Sequence, residues 1–225
     1  DCSADVVSST VPCSTKWMVG TVNSFYIGII ATVIATALGT LAALGLSRPH
    51  MPYKGLIMAI LISPMIVPLI ITAAGMFFFY ARINLVYTFT GVILAHVALA
   101  TPFVVITVTA TLVGFDMNMV KAAQSLGAKP MRTFFKVIMP LILPGIISGA
   151  LFAFITSFDE VVIVMFMASI DQLTIPKQMW AGIRQEISPV ILCMATCLVL
   201  LSIFLLTTVE LLRRRSEKLR GIKAR

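Results

Sequence analysis

Apolar residues in this chain neither alternate with polar ones nor keep to one helical face; they run on in blocks too long for a water-soluble interior. Five blocks can cross the roughly 30 Å of hydrocarbon in a bilayer, at about residues 19–46, 56–80, 89–113, 141–168 and 190–212. Alternating strands of the kind that build an outer-membrane barrel are absent, so the pattern predicts an all-α integral membrane bundle of five helices. The chain then divides into an extracytoplasmic segment 1–18, a membrane domain 19–212 that contains a long polar interruption at 114–140, and a basic tail 213–225.

Composition agrees. Hydrophobic residues make up 59% of the 225 and charged residues 12%, against about 25% charged in ordinary soluble domains. The net charge of +8 would suit nucleic acid, but the cluster Arg213, Arg214 and Arg215 begins where the last apolar block ends, the usual cytoplasmic flank of a spanning helix. No nucleic-acid partner is expected; the partner is the lipid bilayer. With the C-terminus inside, alternation of the five spans puts 13 of the 17 Lys and Arg residues on the inside, as positive-inside topology requires. The same alternation sends Asp1 to the outside, so a sixth helix upstream is expected in the full-length protein. Residues 1–17 lack the basic and apolar regions of a signal peptide. Cys2 and Cys13 would face an oxidising space, where a disulfide between them is open but not dictated by spacing.

Inside the spans a few residues stand out. Pro64 and Pro68 each remove a backbone donor, so the second span should kink or unwind, either as a pathway helix or as a packing bend. Gly28, Ala31, Ala35, Gly39, Ala42 and Ala43 give the first span a face for close packing. Cys193 and Cys197 share a helical face but lack further ligands, so they read as small buried apolar residues, and no metal site is expected. His96 reads as a hydrogen-bonded packing histidine, and His50 as a solvated loop residue. Asp159 and Glu160 lie within the fourth span, where ionisable residues point to function. Neighbours on a helix diverge by about 100°, so one of them, with Asp159 favoured, faces a pathway while the other caps a broken helix or pairs with Arg82 or Arg184; the alternative is a purely structural role for both. Trp180, in the outer segment 169–189, reads as an interfacial anchor ahead of a partner contact.

The segment 114–140 changes character. Asp116 or Asn118 can cap a helix running to about Leu126, Gly127 can end it in the left-handed conformation, and Pro130 suits the first turn of a second helix. A helix-turn-helix on the cytoplasmic face results, with Ala122, Ala123 and Gly127 small enough for close approach by a partner.

Ala122-Ala123, three residues, Gly127, nine residues, then Val137-Ile138-Met139-Pro140 resembles the EAA loop of ABC-transporter permeases. Lys121 stands where that family usually has Glu, and Met139 where it has Leu. Asn23-Ser24-Phe25, Gly39 to Ala43, Pro102 to Val105, Ser157-Phe158-Asp159-Glu160 and Ile187-Ser188-Pro189 extend the resemblance to the spermidine/putrescine group of permeases. That group is similar to permeases for ferric iron, thiamine, opines and aminoalkylphosphonate.

The resemblance implies a bacterial inner-membrane importer of type I. A second permease subunit would complete the pathway, a dimer of ATP-binding cassette subunits would dock on the EAA loops, and a periplasmic binding protein would deliver substrate. Lys121, Ala122, Ala123, Gly127, Ala128 and Pro140 would form the coupling site, with Asp159 and Glu160 on the substrate pathway. The chain has no GxxxxGK[ST] sequence. ATP and Mg would therefore be bound by the partner ATPase, leaving this chain without a cofactor and without catalytic residues. A membrane-bound enzyme or a channel is the competing class: the first lacks the expected His or Cys clusters, the second would lack the coupling segment.

Overall fold

The computed structural model describes residues 13–48, 51–113, 118–185 and 189–219. Every regular element among them is helical: α1 (Cys13–Leu46), α2 (Lys54–Ile66), α3 (Leu69–Arg82), α4 (Phe89–Val113), α5 (Asn118–Ser125), α6 (Pro130–Thr133), α7 (Met139–Phe158), α8 (Val162–Met167), α9 (Ile175–Gln185) and α10 (Pro189–Leu219). A π-helical turn (Phe134–Ile138) joins α6 to α7, and a 3₁₀ turn (Ile170–Gln172) lies between α8 and α9.

The core is the mutual packing of α1, α4 and α7. Helices surrounded by apolar lipid gain little from the hydrophobic effect when they associate, so they depend on close backbone approach. The small-residue face of α1 supplies it: Gly28, Ala31, Ala35, Gly39 and Ala43 are buried, and Ala42 sits at the edge. On this face the approach to α4 is close at Gly39, where a Cβ would lie 2.7 Å from Val104 Cβ. Any side chain at 39 would force these two helices apart.

The second predicted span, 56–80, is two helices, α2 and α3, whose axes diverge by 103°. The two prolines act differently. Pro64 stays inside α2 because Ser63 Oγ donates to the Ile60 carbonyl at 2.8 Å, the group that Pro64 cannot serve. Pro68 makes the break: it holds Val67 in an extended conformation, and α3 restarts at Leu69. The bent pair still joins the two ends of the bundle. Leu46, at the far end of α1, leads into α2, whereas the chain after α3 returns to where α1 begins. There Tyr87 N donates to Met167 O at 2.9 Å, beside the segment that Asn23 holds. With this pair, the apolar crossings number up to five.

The fourth predicted span, 141–168, is also revised. Helix runs without interruption from Pro130 to Phe158, stops at residues 159–161 and restarts as α8. The expected second helix at Pro130 is therefore the first turn of this long rod, not a separate element. Pro140 belongs to the rod as well. It cannot donate one turn back, and the π turn just before it, in which Met139 N donates to Phe134 O, absorbs the irregularity.

At the chain's two ends the helices outrun the expected boundaries. α1 begins at Cys13, ahead of the predicted 19, and α10 continues through Arg213–Arg215 to Leu219. Contact between α10 and the rest is chiefly with α7 and α9. Cys193 and Cys197, expected to be buried, are consequently exposed as free thiols. The Cys2–Cys13 pairing, His50 and the Asp116 cap lie outside the described residues or side chains.

Candidate functional site

Two helix breaks meet at one cleft. Leu69, the first residue after Pro68, faces Ile155, Thr156, Asp159, Glu160, Val161 and Val162 around a volume of about 410 Å³. α7 ends because Asp159 leaves helical geometry, at φ −88° and ψ 1°, while its N–H still bonds Ile155 O at 3.0 Å. The adjacent acids then part. Asp159 is exposed to the cleft, whereas Glu160 is only 7% exposed. Its Oε1 accepts from Ile163 N at 2.9 Å, capping the start of α8. Neither Arg82 nor Arg184 takes part; the Arg184 guanidinium lies 5.9 Å from the centre of the Trp180 ring.

The far end of α8 is capped as well. Lys177 Nζ donates to Val164 O at 3.3 Å and to Ala168 O at 3.2 Å, placing a cation at a helix C-terminus. Partial burial pushes the Lys177 ammonium below its ordinary pKa range. The segment leading to Lys177 is pinned to α1. Asn23 Nδ2 donates to Asp171 O at 2.8 Å and to Leu173 O at 3.0 Å, and Ile175 N donates to Ser24 Oγ at 2.9 Å. A capping box of Ser169 and Gln172 closes the intervening 3₁₀ turn. Asn23 and Ser24 entered the sequence reading only through resemblance. Their physical signal is two adjacent polar side chains within an apolar helix, where hydrogen-bond partners are obligatory.

His96, on α4, is buried, and its Nδ1 lies 2.8 Å from Ser157 Oγ on α7. This bond ties the two core helices together beside the cleft, two residues before Asp159. Among the described residues no three of His, Cys, Asp and Glu converge on a point that could hold a metal.

At the other end of the long rod lies the segment proposed for coupling. α5 has no buried residue; Lys121 and Ala122 are exposed and Ala123 is partly covered. The helix closes in a Schellman motif: Gly127 N donates to Gln124 O at 2.9 Å and Ala128 N to Ala123 O at 3.1 Å. Gly127 has φ +79° with open space around it, so conformation, not crowding, selects glycine there. Leu126 and Met131, at 88% and 71% exposure, flank this turn with apolar side chains. Pro140 is exposed on the rod, a π turn removed from the α5 surface.

Residues 15–218 match the family of binding-protein-dependent transport system inner membrane components. The chain belongs to that family. As a permease component of this kind it is a multi-pass inner-membrane transport protein and not an enzyme. The spermidine/putrescine transport system permease protein PotC of Haemophilus influenzae is 30% identical over 196 residues, covering 87% of this chain and 76% of that protein. PotC of Escherichia coli K12 is 28% identical, with coverages of 87% and 74%. The putrescine transport system permease protein PotI of the same strain is 30% identical over 181 residues, covering 77% of this chain and 64% of that one. Among solved structures, the MetNI methionine ABC transporter in inward-facing conformations superposes with a TM-score of 0.66 at 19% identity, over 96% of this permease and all of the matched chain. An amino acid ABC transporter gives 0.66 at 17% identity, over 90% and 94%. The fold is that of an ABC-importer permease.

Proposed function

We propose that this permease forms part of the pathway of an ATP-driven importer for polyamines such as spermidine and putrescine, delivered by a periplasmic binding protein. A second permease subunit completes the pathway. A dimer of ATP-binding cassette subunits, holding ATP and Mg, docks on α5 and the turn through Ala128. The basic flanks support a cytoplasmic position for that surface and for the C-terminus.

The observation that carries the substrate class is Asp159. One carboxylate exposed in a cleft whose other walls are largely apolar, Leu69, Ile155, Val161 and Val162, suits a ligand with ammonium ends and a methylene body. The carboxylate offsets the desolvation of an ammonium, and the apolar walls accept the alkyl chain. Thr156 adds a hydroxyl. Glu160 is committed to α8 and contributes to the pathway only by holding that helix. The relatedness to spermidine/putrescine permeases supports the same class.

The test is ATPase activity of the complex in lipid nanodiscs with its binding protein, comparing spermidine, putrescine, ferric iron and an aminoalkylphosphonate. Stimulation by the polyamines alone is expected. Stimulation by iron or the phosphonate instead would retire the polyamine assignment while leaving the coupling surface intact. Failure of any ATPase subunit to associate would remove the coupling assignment too.

A further inference from the structure

α8 spans six residues, Val162–Met167, far too few to hold a helix by its own hydrogen bonds. Its place depends on what satisfies its ends. Glu160, next in the chain, serves the N-terminal end. At the C-terminal end Lys177, from the first turn of α9, serves the Ala168 carbonyl and adds a second bond to the Val164 carbonyl, which already accepts from Ala168 N. Among the described residues the hydrogen bonds of Lys177 run to these carbonyls and not to a carboxylate. α9 does not float: Asn23 and Ser24 fix the segment just before it onto α1. A continuous chain of polar contacts thus runs from the outer end of α1, through the segment 171–177, to the far end of α8. The near end of α8 is the wall that carries Asp159.

We infer that Lys177 is a positioning residue, the contact through which the outer segment, residues 169–185, sets the place of α8 and with it the acidic cleft. The inference rests on the reading of that cleft as the pathway. An ammonium is suited to the task because it serves two carbonyls at once and favours the negative end of the helix dipole. Methionine at 177 keeps a flexible unbranched stem and loses every donor; arginine keeps the charge and several donors.

The experiment uses the assembled complex in lipid nanodiscs, with Cys2, Cys13, Cys193 and Cys197 replaced by Ser. Spin labels are placed at the exposed Met18 on α1 and Met165 on α8. Wild type and Lys177→Arg should give one narrow distance distribution, and Lys177→Met a distribution about twice as broad at equal assembly. Putrescine-stimulated ATPase activity of Lys177→Met should fall about tenfold in maximal rate, the effect expected from losing a charge-assisted hydrogen bond. Its half-saturating concentration of binding protein should move by less than about twofold, and Lys177→Arg should restore most of the rate. A Met variant with a distance distribution as narrow as wild type overturns the inference. So does an Arg variant as impaired as Met, or a defect confined to half-saturation, which would make Lys177 a contact for the binding protein. If no polyamine stimulates even the wild type while the distributions separate as described, the substrate assignment fails and the positioning role of Lys177 stands.

Discussion

The surface around Gly127 and the cleft around Asp159 are both places where a helix stops, and they stop by opposite means. At Gly127 the ending is local: bonds from Gly127 to Gln124 and from Ala128 to Ala123 close it within six residues, with nothing packed over it. At Asp159 the ending is held from a distance. α8 needs Glu160 and Lys177, and the opposite wall comes from Leu69, which reaches the cleft only because Pro68 has broken the second span. A local ending makes a surface that stays rigid while it is handled by a partner. A remotely held ending makes a wall whose position responds to its neighbours.

That contrast is open to direct attack. The largest effect is expected from Gly127→Asp, which places a Cβ and a charge at φ +79° on the exposed surface. The protein should insert and the complex should hydrolyse ATP, with uptake lost; uptake at the normal rate would remove Gly127 from the coupling site. Next comes Asp159→Asn, expected to lower the maximal rate of putrescine uptake about tenfold, the loss of one unit of charge interaction, with an unchanged melting temperature. An unchanged rate would end the pathway role.

Glu160 should behave in the reverse manner. Glu160→Leu leaves the α8 terminus without its acceptor and should cost about 2 kcal/mol, read as a lowered melting temperature in detergent. Glu160→Gln keeps an acceptor and should remain within about 0.5 kcal/mol of wild type. Equal stability of the two variants would contradict the capping role. The smallest effect belongs to Ser63→Ala, which frees the Ile60 carbonyl that Pro64 leaves unserved and should cost about 1 kcal/mol. A loss of this size that disappears in the Pro64→Ala background would show that the serine is compensating for that proline.

The two regions also differ in how far the amino-acid sequence discloses them. The left-handed Gly127 and the first-turn Pro130 are legible because each depends on the backbone preference of one residue. The small-residue face of α1 is legible because it repeats with the helix. That the two acids Asp159 and Glu160 mark a special place is legible from their position in an apolar block, but helical divergence does not separate them, since both lie in the break at 159–161, and which neighbour each meets is not legible. Nothing in the spacing brings Leu69 to Asp159, Lys177 to Val164 or Asn23 to Asp171, because those meetings depend on how α3, α8 and α9 fold back over the bundle. A proline pair could be read as a bend; its size, 103°, could not, since Ser63 rescues one proline and leaves the other to act. The fourth span, predicted at 141–168, runs across the break because hydropathy does not register a stop at residues 159–161 that is followed at once by the apolar α8.

The uninterrupted helix from Pro130 to Phe158, 29 residues long, has a geometric consequence. At 1.5 Å per residue it is a lever of about 43 Å, with the coupling turn at one end and Asp159 at the other. The π turn at Phe134–Ile138 is a joint close to the handle, leaving some 30 Å of α-helix, with Pro144 inside it, beyond. Under the proposed function, a tilt of about 10° at that joint carries the carboxylate end through about 5 Å. A displacement of that size is comparable to the width of an alkylammonium chain, so a small rocking at the cytoplasmic face is amplified into the difference between a cleft that holds a cation and one that lets it go.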